Sequence, residues 1–280
     1  MLHLISILSA LNAPVVGGTT VPPGGFPDVV LVVAPMALCT GTLVAPDVVL
    51  TAGHCIDTGP KEVLVDSVDY AKPGGEVIAV KSAIAYPDWE HQYDVGVLVL
   101  EHPAAPKPRT VASACVLKGA TVRVVGFGLT TASGTGENSR LHQAVLDVDD
   151  PTCARDPACA PAIAPNGEFT AGGHGTDSCF GDSGGPVFLD DRLVGVVSRG
   201  VGTAGSPCSG GGVYVRADKV VAWIERTTGR RIMRGTCDVP ADDAGTPVDT
   251  GGCSTSGSVG GLGLGFVAIV IAVLLARQRA

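Results

Sequence analysis

The chain has 280 residues, 45% of them apolar and only 4% aromatic, with 39 glycines, 20 prolines and a net charge of −8 from 19 basic and 27 acidic side chains. That length suffices for one large core or two small ones. The body of the chain has no basic run, which argues against nucleic acid as a partner, and the acidic balance reads as solubility, with a preference for basic substrates as the alternative.

Nine cysteines occur without a Cys-x-x-Cys pair, a pattern that argues against zinc and for disulfides in an oxidising compartment. Residues 1–14 open the chain. Met1 to Ala13 is short, apolar and ends in small residues, as a signal peptide does, although it lacks a positively charged start. The alternative is an ordinary buried apolar segment. Val15-Val16-Gly17-Gly18 follows Pro14.

Short apolar runs then alternate with turn residues, the mark of an all-β chain. Val29 to Val33, Cys39 to Val44 and Val48 to Thr51 read as strands, the last two joined by the turn Ala45-Pro46-Asp47. Leu50-Thr51-Ala52-Gly53-His54-Cys55 carries a histidine. Val63 to Val68 and Val77 to Val80 are further strands, broken by Pro73-Gly74-Gly75. Asp94 stands at the start of the buried run Val95 to Leu100, where by itself it could be a strand cap. His102 to Arg109, with Pro103, Pro106 and Pro108, reads as the start of a link. Beyond it, Thr121 to Val125 and Leu141 to Val148 are strands around the Gly/Ser/Thr-rich loop Thr131 to Asn138.

Asp177-Ser178-Cys179-Phe180-Gly181-Asp182-Ser183-Gly184-Gly185-Pro186 concentrates a candidate nucleophile, acids and three glycines. Glycines let backbone N–H groups converge beside Ser183, as an oxyanion hole requires. A serine needs a general base, and the base an orienting group. Val187 to Leu189 and Leu193 to Val197 are strands separated by Asp190-Asp191. Residues 235–258 form a Pro/Gly/Asp/Thr linker with nothing to bury. In residues 259–280, Leu262 to Ala276 is apolar and precedes Arg277-Gln278-Arg279. With Val259 and the glycines it reaches the short end of the ~17–25 residues that cross a bilayer.

Gly181-Asp182-Ser183-Gly184-Gly185-Pro186, together with Thr51-Ala52-Gly53-His54-Cys55 and the order His54, Asp94, Ser183, resembles the chymotrypsin/trypsin family of serine endopeptidases. The resemblance covers residues 15–234. It implies an all-β fold of two six-stranded antiparallel Greek-key barrels packed together with a C-terminal helix near Val220 to Arg226. The apolar C-terminal segment stands apart from that fold.

The resemblance also implies roles. Ser183 is the nucleophile, His54 its base, and Asp94 the acid that orients His54. The N–H groups of Gly181 and Ser183 receive the oxyanion. Ser198 hydrogen-bonds the triad acid. Asp177 lies at the floor of the primary pocket, with Gly200 and Gly212 on its walls, which implies cleavage after Arg or Lys. Val15, once freed, pairs with Asp182, although Pro14 stands where relatives usually carry a basic residue. Tryptophan usually occupies the place of Arg199, so the wall of the neighbouring subsites differs here.

Of the disulfides, Cys39–Cys55 and Cys179–Cys208 are implied by the family. Thr170 stands where relatives carry the usual partner of Cys153, leaving Cys159 as the nearest candidate. Cys115–Cys237 is favoured, with Cys253 unpaired. The tail resembles the tripartite sorting tags of myxobacterial surface proteins, a plain membrane anchor being the alternative. No cofactor or metal is implied. His3, His91, His102, His142 and His174 read as surface or loop residues. The implied protein is a secreted endopeptidase, tethered at the outer cell surface and acting on protein or peptide substrates. Two rivals are a catalytically silent homologue used as a binding module and a zymogen held by Pro14.

Overall fold

A computed structural model describes residues 14–237, except 73, 114 and 116. The expected signal segment, Cys253 and the apolar tail lie outside the described residues. The strands are β1 (Thr19–Thr20), β2 (Val29–Val33), β3 (Leu38–Ala45), β4 (Val48–Thr51), β5 (Glu62–Val65), β6 (Glu76–Ala85), β7 (Gly96–Leu100) and β8 (Val111–Ser113). They continue with β9 (Thr121–Gly126), β10 (His142–Asp150), β11 (Glu168–Ala171), β12 (Pro186–Leu189), β13 (Arg192–Gly200), β14 (Gly212–Arg216) and β15 (Arg234–Thr236).

β2-β3-β4-β7-β6-β5 closes into one antiparallel barrel. β12-β9-β10-β11-β14-β13 forms a second ring, closed by the β12–β13 pairing. β8 and β15 pair parallel at its edge, and β1 pairs with β10. The two-barrel expectation therefore holds.

The unbroken apolar runs of the first barrel follow from covering both strand faces. Side chains alternate along a strand. In β2, Val30 and Val32 face a cluster with Leu43, Val49, Ile78 and Leu98. Val29 and Leu31 face a second cluster, which also holds Phe188, Val196 and Val215 from the other barrel. β4 divides the same way, Val49 to the first cluster and Val48 and Leu50 to the second. The second barrel's interior is filled by Val122, Val124, Leu146, Phe169, Val187 and Tyr214, among others.

The C-terminal helix, Ala217–Thr228, places Ala217, Val220, Val221 and Ile224 on one buried face, the spacing of an amphipathic helix. Asp218 in its first turn and Arg226 in its last complement the helix dipole. Gly229 ends it in the left-handed conformation, φ 68°. Trp223 and Ile224 join the inter-barrel cluster. Truncating either to alanine costs on the order of 2–5 kcal/mol.

Arg109, in the proline-rich link, ties the halves together. Its Nε and Nη2 donate to the buried Asp28 carboxylate at 2.8 and 2.6 Å. Its guanidinium carbon lies 4.4 Å from the Phe188 ring centroid.

Three differences from the sequence reading stand out. β6 runs from Glu76 to Ala85, well past Val80, because it curls along both β5 and β7. Residues 235–237 belong to the barrel domain and not to a linker: Gly235 and Thr236 pair with β8, and Cys237 is buried in a disulfide with Cys115. His142 is no surface residue; it opens β10 with 1% of its surface exposed.

Disulfides join Cys39–Cys55, Cys115–Cys237, Cys153–Cys159 and Cys179–Cys208. Cys115–Cys237 encloses the longest loop, 122 residues in sequence. A loop of that length stabilises by about 4–5 kcal/mol through the unfolded chain.

Candidate active site

The site forms where the barrels meet. His54 sits in the short helix Gly53–Asp57, which follows β4 directly and is fixed to β3 by Cys39–Cys55. Asp94 lies just before β7, the strand paired with β4. Short connections from adjacent strands thus bring together residues 40 positions apart. His54 N and Nδ1 donate to Asp94 Oδ1 and Oδ2 at 3.0 and 2.9 Å. Ser198 Oγ donates to Asp94 Oδ2 at 2.7 Å. Burial pushes the Asp94 carboxyl up, but the hydrogen bonds from His54 and Ser198 and the His54 charge more than offset this, holding it below 3.8.

His54, Asp94, Ser183 and Ser198 line one cavity of about 520 Å³, together with Trp89 and Phe180. Between His54 and Ser183 the described residues show no hydrogen bond. Such bonds commonly tighten only with substrate in place.

The loop carrying Ser183 is held from three sides. Cys179–Cys208 anchors it to the loop before β14. Thr40 N donates to Ser183 O at 2.9 Å, and Thr40 Oγ1 donates to Gly181 O at 2.8 Å. Thr40 Oγ1 also accepts from Phe127 N at 3.1 Å. Within the loop, the N–H groups of Asp182, Gly184 and Gly185 have protein acceptors. Those of Gly181 and Ser183 have none among the described residues. Gly181 has φ 101°, a conformation that favours glycine.

Asp182 is fully buried. Its carboxylate accepts from Gly128 N and Cys179 N, both at 2.8 Å. No cation reaches it among the described residues. Burial dominates and raises its pKa to about 7. Val15 is buried in the second barrel's cluster, and Val16 O accepts from Asp177 N at 2.9 Å. The N-terminal segment therefore touches Asp177 directly.

Asp177 is 1% exposed and is not on the cavity wall, whereas its neighbour Ser178 is. Gly211 N donates to Asp177 Oδ2 at 2.7 Å, while Oδ1 has no partner. Desolvation raises the Asp177 pKa to about 6 against these backbone bonds. Ser178 Oγ and Tyr214 Oη lie 3.2 Å apart beside it. Gly200 lines the cavity. A Cβ on Gly212 would lie 2.5 Å from Tyr214 Oη and 3.0 Å from Ser178 Oγ, so a side chain there collides with that pair.

The sequence reading missed three contributors. Trp89 is one of two tryptophans in the chain and lies five residues before Asp94, a signal that could have marked it. Thr40 and Glu168, which accepts from the Arg199 guanidinium at 2.8 Å, left no such signal, because their partners lie far away in sequence. The groups that could hold a metal each contain two disulfide cysteines, whose sulfurs are not thiolates.

A family profile described as Trypsin matches residues 15–224. The chain is 33% identical over 235 residues to Trypsin 5G1 of Aedes aegypti, covering 77% of this chain and 85% of that one. It is 33% identical over 218 residues to a trypsin of Saccharopolyspora erythraea, covering 72% and 92%. Similarity to pig (Sus scrofa) coagulation factor XII is 31% over 251 residues, or 79% of this chain and only 40% of the factor's length.

Proposed function

The chain belongs to the trypsin family of serine endopeptidases, and on that footing we propose that Ser183, His54 and Asp94 cleave peptide bonds after Arg or Lys. The observation that carries the reading is the network His54–Asp94–Ser198 facing the same cavity as Ser183.

Asp94 accepts a hydrogen bond from Nδ1–H, which keeps the proton on that nitrogen and leaves Nε2 of the neutral His54 ring free as a base. Ser183 Oγ attacks the scissile carbonyl carbon and its proton passes to Nε2. The carbonyl oxygen becomes an oxyanion, received by the N–H groups of Gly181 and Ser183. The intermediate expels the amine, which takes the proton from Nε2, and leaves an acyl-serine. Water, deprotonated by His54, releases the acid and restores the site. Asp177 pairs with the substrate cation.

The wider reading is a secreted protein: a leader in residues 1–14, a catalytic domain from Val15, and a linker followed by a surface tether in residues 259–280. A second reading has specific support. In the chain joined through Pro14, Asp182 is buried with no cation beside it among the described residues, the arrangement of a precursor awaiting a freed Val15 ammonium.

Titration with a phosphonofluoridate decides among these. The purified protein should take up one equivalent, on Ser183. Uptake only after cleavage before Val15 favours the precursor. A folded, cleaved protein that takes up none supports a binding module.

A further inference from the structure

We infer that Arg199 is a specificity-determining residue, offering the flat face of its guanidinium to an aromatic substrate side chain upstream of the residue before the cut. The inference rests on the endopeptidase reading above.

A charged residue on the cleft wall would ordinarily be expected to select an acidic substrate side chain. The hydrogen bonds point elsewhere. A guanidinium has five N–H donors in one plane. Here Nε and Nη2 donate to Ala158 O at 2.9 and 2.7 Å. Nη1 and Nη2 donate to Glu168 Oε1 and Oε2 at 2.8 and 3.0 Å. Nη1 also donates to Ser198 Oγ at 3.0 Å. Every in-plane donor is engaged.

The charge is matched as well. Glu168 is 1% exposed, and its Oε2 also accepts Ala160 N at 2.7 Å. An incoming carboxylate would find no free donor on Arg199 and would meet the field of Glu168 and of Glu90, while His91 and Gln92, also on this wall, are turned to Asp88 at 2.7 and 3.4 Å. The Arg199 side chain is nonetheless 36% exposed. With its edges engaged, that exposure is carried by the guanidinium face and the methylene stem. Such a face stacks on aromatic rings.

The space for a ring is present. Arg199 stands between the cavity holding His54 and Ser183 and a second cavity of about 460 Å³. The two share Trp89, Asp94, Ser198 and Arg199, so the second continues the catalytic cleft. Its remaining walls include Ala158, Pro161 and Ala162. The Cys153–Cys159 disulfide holds the loop that supplies Ala158. An indole wall, an apolar loop and a saturated guanidinium form a slot for a flat, apolar group.

The test fixes the residue before the cut at the one cleaved best. It then varies the second to fourth residues upstream among Phe, Tyr, Leu, Ala, Glu and Lys. At one position Phe or Tyr should exceed Leu in kcat/KM by about three- to thirtyfold, with Glu below Ala. If Glu equals or exceeds Phe, or Phe equals Leu at all three positions, the inference is overturned. The protein is first cleaved before Val15, and if that form then cleaves none of the peptides the endopeptidase reading itself falls.

Variants sharpen the assignment. Arg199→Leu combined with Glu168→Leu removes the pair without leaving a buried charge alone. The preference for Phe over Leu should vanish, mainly through KM. Arg199→Lys serves if the double variant does not fold, since an ammonium lacks the planar face. A preference for Phe that persists in either variant overturns the assignment to Arg199.

Discussion

Thr40 reaches from the first barrel into the loop of the second: its Oγ1 donates to Gly181 O at 2.8 Å while its own N–H donates to Ser183 O at 2.9 Å. One residue of β3 thus grips the loop on both sides of Asp182. Its carbonyl is held in turn by Thr51 Oγ1 at 2.8 Å. Thr40→Val keeps the shape but removes the hydroxyl, leaving Gly181 O and Phe127 N without their partner. We expect a loss of about 1–3 kcal/mol in stability. We also expect kcat to fall roughly ten- to hundredfold, less than the loss of a whole oxyanion donor. Thr40→Ser should restore both. Urea midpoints and steady-state kinetics of the two variants check this. An unchanged kcat in a folded Thr40→Val protein would leave Thr40 a purely structural tie.

Ser183→Ala should lower kcat by roughly four to six decades with the fold intact, because nucleophile and base act as a unit. Amidase activity near the level of the unmodified enzyme, in a folded variant, would refute the triad assignment. The comparison needs matched circular dichroism spectra and a single peptide substrate.

What the sequence made legible, and what it did not, follows the range of the interactions. Strands such as β2 and β4 were readable because each carries a run of apolar residues long enough to cover two faces. His54, Asp94 and Ser183, which line one cavity, could be picked out because each stands in a short local motif. β1, β8, β11, β14 and β15 were not foreseen. They are two to five residues long and take their pairing from strands elsewhere in the chain, as Val111 does with Arg234 and Phe169 with Tyr214. The burial of His142 likewise depends on its pairing with Gly126 in β9. Glu168–Arg199 spans 31 positions and crosses between β11 and β13, so no local pattern announces it.

Stability should respond to the Pro14–Val15 bond with a definite pH dependence. In the joined chain the Asp182 pKa is raised from 3.8 to about 7. A carboxyl so raised contributes no penalty below its unfolded value and an increasing one as pH climbs toward about 7. The gap corresponds to at most roughly 4 kcal/mol. Val15 also holds φ 40°, costly for a β-branched residue, and that torsion disappears when the bond is cut. A freed ammonium beside Asp182 would favour the charged carboxylate. The cleaved protein should therefore be the more stable form at pH 7, with its advantage shrinking toward pH 4. It should shrink again above roughly pH 8 as the ammonium loses its proton. Thermal melts of both forms across this range measure it. A difference independent of pH would separate Val15 from Asp182.

The pocket floor gives a test in which the base cancels. Desolvation raises the Asp177 pKa to about 6, and its Oδ1 has no partner among the described residues. A substrate guanidinium would supply that partner, and only to the ionised form. The pH dependence of kcat/KM reflects groups of the free enzyme. Peptides with Arg before the cut should therefore lose activity below about pH 6 through Asp177. Peptides with a small apolar residue there lack that dependence while sharing every other one. The ratio of the two kcat/KM values isolates Asp177. It should be flat above pH 7 and fall about tenfold for each unit well below 6. Asp177→Ser should abolish that fall. It should also lower kcat/KM for the Arg peptide by roughly two to four decades, since the substrate cation is then buried unpaired. Two results would overturn the assignment: an unmodified enzyme that prefers Phe or Leu before the cut, or a ratio flat from pH 8 to pH 4.5. Either would leave Asp177 a buried structural acid held by Gly211, and the triad could still stand.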